Sequence, residues 1–517
     1  MPVLLGIDVL RIQQYVFASN RLRDAVAASF LVDWATAPDK ALDLPGRSDV
    51  LMGAGGNAIL VFKDLKQARD FVARYTRRLH KEAPGLEVAV ALSEYQAGEL
   101  ARALRALQTT LARKKLEREP SVPQLALSVT MPCRITGLPA TGFDPQDPAI
   151  PLARSVLRFR DVMVLNRANR RWDAFLQGHN DLVFPNDLDH LGRTREDTSL
   201  IGVVHVDGNG VGQKINDWVD ECTENNLDDA QVQQQYHEWS TALNEAGRTA
   251  FEEVVRRVIG AIDKNKGFIN SPVPGIGFEL KRDDDGRLFL PLRPVLLGGD
   301  DFTFICDGRV ALDLAETALR VFERDIPHLG RVSACAGVAI VRSHTPFSRA
   351  YELSTALCAN AKRRRKERND KGSWLDWHVG SYRPGESLTD MRARAYVCTV
   401  GQAPLDLTCR PYRLGSAAKE TETWQWLADE VLGTTGNGLR AQQWREHRNK
   451  VKQLAKLVRE GPEGVRQGRE AWTEAANIQL PGGLDASDGF LDGARTPLLD
   501  AVELMDLHMP LAGGGPL

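Results

Sequence analysis

The sequence predicts an α/β protein: one α/β unit written twice, followed by a mainly helical C-terminal domain. Three observations lead there. The chain has 517 residues, room for about three domains at roughly 100–200 residues each. One order of elements (strand, helix, glycine-interrupted hairpin, helix, strand, helix) runs from residue 3 and again from residue 200. Past residue 380 the apolar spacing turns helical. Composition agrees, since 43% apolar and 26% charged residues rule out wholesale disorder. Lys and Arg number 66 against 68 Asp and Glu, a net charge of -2. That excludes a globally basic nucleic-acid binder and leaves only a local basic face open.

In the first unit, Val3 to Asp8 reads as an apolar strand and Arg21 to Ala35 as a helix. Leu51 to Phe62 alternates around Gly53, Gly55 and Gly56, the pattern of a β-hairpin. Leu65 to His80 is expected to be helical, Leu86 to Leu92 a strand and Glu94 to Glu119 a long helix. In the second unit, LIGVVHVD is a strand ending at Asp207, and 229–263 reads as a long amphipathic helix. Leu288 to Cys306 is a hairpin, Val310 to Glu323 a helix, Val332 to Val341 a strand, and Pro346 to Lys366 a helix with a basic end. Asp8 maps onto Asp207 and Gly55-Gly56 onto Gly298-Gly299, offsets of 199 and 243. The 44-residue difference fits an insertion around the 229–263 helix; the alternative is two unrelated α/β domains. The expected organisation is 1–119, a connector at 120–198, 199–380, and a helical domain at 381–517 with a floppy AGGGPL tail.

No apolar run approaches the ~20 residues of a membrane helix. The N-terminus has no basic segment and no A-x-A cleavage site, so it reads as a strand rather than a signal peptide. Seven scattered cysteines with no C-x-x-C argue against a disulfide framework or a cysteine-type zinc site. The expected compartment is the reducing cytoplasm.

The sharpest chemical signal is Gly298-Gly299-Asp300-Asp301, a turn between apolar runs. Two adjacent carboxylates on a tight turn are costly to desolvate unless a cation compensates. Magnesium, which takes hard oxygen ligands and keeps its waters, suits them. The bland alternative is an ordinary Gly/Asp turn. A second signal is Asp207 at a strand's end before Gly208-Asn209-Gly210-Val211-Gly212. There the Asp can bind metal while backbone N–H groups cradle phosphate. Asp207, Asp300 and Asp301 could converge on two metal ions for an in-line phosphoryl displacement.

HVDGNGVG together with LLGGDDFTF resembles the active palm of the large polymerase-like subunit of type III CRISPR effector complexes, and more distantly GGDEF-type nucleotide cyclases. DVLRIQQYVFASNRLRDAVAASFLV is similar to that subunit's first palm, and GAGGNAILVF to its degenerate hairpin. CAGVAIVRSHTPFSRAYELSTALCANAK resembles the strand and helix that close the active palm. The resemblance covers roughly 3–115 and 199–370 and implies two palm domains, ferredoxin-like and related to nucleotide cyclases. It further implies ATP as substrate, condensed to cyclic oligoadenylate, with two Mg2+ or Mn2+ ions on Asp207, Asp300 and Asp301. By position, Gly208, Asn209, Gly210, Gly212, Gly298, Gly299 and Lys362 would meet the donor nucleotide. Gly55, Gly56 and Asn57 would meet an acceptor. Asn57-Ala58 stand where the Asp-Asp pair is expected, so the first palm should hold no catalytic metal.

Two features of the family are missing. No His-Asp dipeptide occurs, so cleavage of DNA by an HD domain is not expected. In MPCRITGLPA, Thr136 stands where a zinc knuckle would place its second cysteine after Cys133. These point to a standalone or atypical member. The expected function is a nucleotidyltransferase making a cyclic second messenger for antiviral defence. The alternative is a catalytically silent scaffold holding RNA and neighbouring effector subunits. For the scaffold, the stretch Arg440 to Arg466, with eight Lys/Arg against three Asp/Glu and Trp444 among them, would be the RNA face. A GTP-using diguanylate cyclase is weaker still, because Asp301-Phe302 replaces Glu-Phe and both palms share one chain.

Overall fold

The computed structural model describes residues 1–43, 50–118, 129–191, 200–380, 383, 385–401, 403–416, 420–476 and 478–512. Residues 120–128 and 192–198 of the expected connector and 513–517 of the expected tail lie outside them.

The first unit is β1 (Val3–Leu10), α1 (Leu22–Thr36), β2 (Val50–Ala54), β3 (Asn57–Phe62), α2 (Leu65–Glu82), β4 (Glu87–Glu94) and α3 (Leu100–Glu117). Its antiparallel sheet has the order β2-β3-β1-β4. α3 begins six residues later than the spacing predicts. Gly98 at φ +89 turns the chain, and the Asp229 carboxylate accepts the N–H groups of Gly98 and Leu100 at 2.8 and 3.0 Å. That cap comes from the second unit, so no local pattern announces it.

After the connector helix α4 (Val162–Asp173), the second unit follows: β5 (Leu200–Gly208), α5 (Val211–Glu224), α6 (Asp229–Gly260), β6 (Leu292–Gly298), β7 (Asp301–Asp307), α7 (Ala311–Phe322), β8 (Ala334–Arg342), α8 (Phe347–Glu367) and β9 (Trp374–Val379). The sheet order β6-β7-β5-β8 repeats that of the first unit, and β9 is added parallel to β8. Both are ferredoxin-like palm sheets. The extra length of the second copy is not one block. It is shared among α5, a longer α6 and a small three-stranded sheet spanning 262–279.

The glycine alignment shifts by one residue. Asp8 pairs with Asn57 across the first sheet, and Asp207 with Asp301 across the second. Each hairpin has a two-residue turn, closed by Ala54 and Asn57 or by Gly298 and Asp301. Gly56-Asn57, not Asn57-Ala58, therefore stand at the Asp300-Asp301 positions. Turn closure, rather than glycine matching, sets the register.

The two palms share their cores. α1 is apolar nearly all round, the mark of a helix buried on several sides. It packs on β1 and also on β6, where the Ser29 hydroxyl donates to the carbonyl of Val295. Reciprocally, α6 packs on its own sheet and on β2. Alternation along β5 places Val204 and Val206 on the α6–α7 side, and His205 and Asp207 on the side covered by α8.

The C-terminal region is mainly helical, with two departures from the spacing. Tyr412–Arg413 (β10) returns to extend the second palm sheet beside β9, and Val397–Val400 pairs with Ala403–Asp406 in a ribbon. Helical spacing runs through 442–459, but the helix breaks at His447, leaving Gln442–Arg445 and α9 (Arg448–Leu457). Arg410, fully buried, ties β10 to α10 (Leu498–Leu504) through Asp500 at 2.6 Å and to Glu503 at 2.5 Å.

Candidate active site

β5 delivers Asp207 at its end, and β7 opens with Asp301 directly opposite. Cross-strand partners share a face, so both carboxylates lie under α8. Asp300 occupies the second turn position, and its carbonyl accepts the N–H of Gly208 at 2.9 Å. A Cβ at Gly208 would fall 2.8 Å from the Asp300 Cβ, so glycine is what lets the turn close on β5. The three acids are thus assembled by one register and one turn.

Lys362 reaches down from α8. Its Nζ lies 2.7 Å from Asp207 Oδ2 and 2.7 Å from the Gly208 carbonyl. One ammonium does not neutralise three carboxylates. Burial, with the charge of Asp207, pushes Asp300 up to about 6 and Asp301 up to about 7. One oxygen of Asp301 is buried without a hydrogen-bond partner, while the side chain as a whole is half exposed. Hard oxygen donors that repel one another, with one ammonium among three carboxylates, fit divalent cations of the Mg2+ or Mn2+ kind.

The glycines divide by role. Gly210 is left-handed (φ +65) and caps α5; Gly212, in its first turn, faces open space. The N–H groups at a helix start of this kind are able to bind an anion. Gly298 and Gly299 each lie against protein on one side. Gly298 abuts Gly55, and a Cβ at Gly247 of α6 would sit 1.9 Å from the Gly299 carbonyl oxygen. Both are partly exposed, and the close backbone approach on one side serves packing. Asn209 is 4% exposed; its amide donates to Ser333 Oγ at 3.0 Å and accepts from Cys335 Sγ at 3.1 Å, so one donor and one acceptor of the side chain are used within the fold.

The first palm keeps part of the constellation. Asp8 pairs with Lys115 of α3 as Asp207 pairs with Lys362 of α8, and exposed Asn57 faces Asp8 as Asp301 faces Asp207. Gly55 and Gly56 form the turn, and Gly55 meets Gly298 at the contact between the palms. A small cavity of about 60 Å³ beside it is lined by Asp33, Gly56, Arg171 and Asp301.

Sequence reasoning missed three residues here. His205, two positions before Asp207 and so on the same face, has Nδ1 3.4 Å from Asp301 Oδ1 and 3.1 Å from Thr303 Oγ1. Burial lowers its pKa to about 4, so it is neutral. The alternation of β5 could have found it. Arg365, three residues beyond Lys362, has a buried Nε without a hydrogen-bond partner; helical spacing could have found it. Arg171, from α4, lies 3.6 Å from Asp33 beside the hairpin contact. Nothing local in the connector announces it.

Fold and site define a two-palm protein in which one palm carries three acids and the other keeps only an Asp–Lys pair. Residues 200–371 match the family model described as Cas10/Cmr2, second palm domain. It is similar to the crystal structure of Csm1 in T.onnurineus, at 14% identity and a TM-score of 0.50, covering 98% of this chain and 70% of that one. A Csm1-Csm4 cassette in complex with one ATP matches at 14% identity and TM-score 0.51, again over 98% of this chain and 70% of that one. The cassette in complex with cA4 matches at 13% identity and TM-score 0.50 with the same coverage. At these identities the likeness is one of fold. No curated protein sequence matches the chain.

Proposed function

We propose that this chain is a metal-dependent nucleotidyltransferase that links nucleoside triphosphates, ATP foremost, into cyclic oligoadenylate or a related cyclic second messenger of antiviral defence. The observation that supports this best is the Asp207–Asp301 cross-strand pair with Asp300 at the turn, set directly against the Gly55 hairpin of the other palm. The assignment divides the chain into a degenerate first palm (1–119), a connector (120–198), the acid-bearing palm (199–380) and a helical C-terminal domain (381–517).

Two divalent cations held by Asp207, Asp300 and Asp301 would neutralise charge at the α-phosphate and on the departing pyrophosphate. The start of α5 binds the donor triphosphate through its free N–H groups. Lys362 turns from Asp207 to the same phosphates. The first palm presents the acceptor, so that a ribose hydroxyl lies in line with the donor α-phosphate. A new phosphodiester bond forms, and pyrophosphate and a proton leave. Holding both nucleotides in one chain turns a bimolecular step into an effectively unimolecular one.

The scaffold reading draws on the basic stretch from Arg440. Its Trp444 is fully buried, Arg440 is buried on the carbonyls of Leu504 and Met505 at 3.0 Å, and Arg466 is paired with Glu463 and Glu470. Those three residues are spent within the fold, which takes the aromatic and two of the eight basic residues out of such a face. The test is mass spectrometry of products after incubation with each NTP and Mg2+ or Mn2+, with and without RNA. Absence of any oligonucleotide product and of pyrophosphate under every condition overturns the enzymatic reading.

A further inference from the structure

The acid site overlaps a second donor set of different chemistry. His205, Asp207 and Cys358 each bring one ligand atom to within 4.8 Å of the other two. Among the described residues no other trio of His, Cys, Asp or Glu side chains comes as close. The trio follows from the same geometry as the acids: β5 presents His205 and Asp207 on one face, and α8 crosses that face with Cys358 one turn before Lys362.

A nitrogen, an oxygen and a sulfur donor together do not suit Mg2+, which takes oxygen ligands. They suit a borderline-soft cation of the Zn2+ or Co2+ class, bound at about 2.0–2.3 Å with a fourth position open to water. With an imidazole, a carboxylate and a thiolate, the charge of a dication is balanced, as a mostly buried site requires. Outer partners stand ready. Thr303 Oγ1 and Tyr351 Oη lie 3.1 and 3.4 Å from His205 Nδ1 and fix the ring's orientation. The site also has an entrance, since the Asp207 side chain is 39% exposed.

We propose that His205, Asp207 and Cys358 form a Zn2+-class site that overlaps the catalytic acids and shuts them off when filled. Zn2+ displaces the Lys362 ammonium from Asp207. The Cys358 thiol, which donates to the Cys335 carbonyl at 3.3 Å, gives its proton to solvent as the sulfur–metal bond forms. Asp207 is then lost to the Mg2+ set. Only this inhibitory consequence rests on the function proposed above; the binding does not.

The test is a Co2+ titration of the full chain, read by the near-ultraviolet thiolate-to-cobalt charge-transfer band, with Zn2+ as competitor. One Co2+ per chain should give the band, Zn2+ should quench it, and excess Mg2+ should not. Cys358→Ala should abolish the band, and Cys358→Ser should weaken Zn2+ binding by more than about 100-fold, beyond the loss typical of an outer-shell partner. Melting temperatures of both variants confirm folding. No band in the wild type, or a band retained in folded Cys358→Ala, overturns the site. In the product assay Zn2+ should inhibit the wild type at concentrations that leave Cys358→Ala active; equal inhibition of both overturns the shut-off. A chain with no turnover on any NTP refutes the proposed function, and the Co2+ titration still decides the metal site.

Discussion

Gly55 meets Gly298 backbone to backbone: a Cβ built on either would lie 3.1 Å from the Cα of the other. The hairpin of the first palm thus abuts the hairpin that carries the acids. Gly55 has φ +62, so substituting it adds strain of its own. Gly298 is free of that complication. Gly298→Ala should separate the hairpins by a few tenths of an ångström and cost about 1–2 kcal/mol of stability. Turnover should fall about ten-fold or more if both palms hold reacting nucleotides. Activity and melting temperature measured on one sample decide it, and full activity in the folded variant would remove the shared site.

Asp300→Ala and Asp301→Ala should each lower product formation by at least ~100-fold, the scale of losing one electrostatic stabiliser of a transition state. The metal-free variants should melt no lower than the wild type, because each deletion relieves repulsion around Asp207. Near-wild-type turnover in either folded variant would dismiss the acids as catalytic.

The carboxylates also set a pH dependence. With Asp300 at about 6 and Asp301 at about 7 in the fold, against 3.8 ordinarily, the folded protein binds more protons than the unfolded chain between about pH 4 and 7. Stability of the metal-free protein should therefore fall as pH rises through that window. A divalent cation favours the charged carboxylates, so the gain in melting temperature on adding Mg2+ should be small near pH 5 and larger near pH 8. A gain independent of pH would contradict Asp300 and Asp301 as ligands.

Asn209→Ala should act on stability and not on the choice of nucleotide. Its buried amide bonds Ser333 and Cys335 at the start of β8, and leaving those partners unpaired costs about 1–3 kcal/mol. Denaturant unfolding should show that loss. Base preference in the product assay should stay as in the wild type, and a switch between ATP and GTP would return Asn209 to the nucleotide site.

Lys362→Met tests the triphosphate role separately. The KM for ATP should rise about ten-fold, the equivalent of ~1.4 kcal/mol, with stability changed by less than about 1 kcal/mol because the Lys362–Asp207 pair is partly exposed. An unchanged KM would leave Lys362 as a counter-charge for Asp207 alone.

The sequence by itself determined the duplicated α/β plan, because alternation, helical spacing and glycine turns are local signals that repeat from residue 3 and from residue 200. It also exposed Asp207, Asp300 and Asp301, since clustered acids between apolar runs conflict with burial and demand a chemical reason. Tertiary structure decided what depends on partners far along the chain. Asp229 caps α3 across the palms; α1 and α6 exchange places against β6 and β2; Gly298 abuts Gly55, and Gly299 lies against Gly247. Asn209 and Trp444 look like contact residues in the sequence and are buried in the fold. Local pattern states what a residue is able to do. Which of its groups remain unpaired is set by the register, the helix crossing and the opposing palm, and those are long-range packing choices made only when the chain closes on itself.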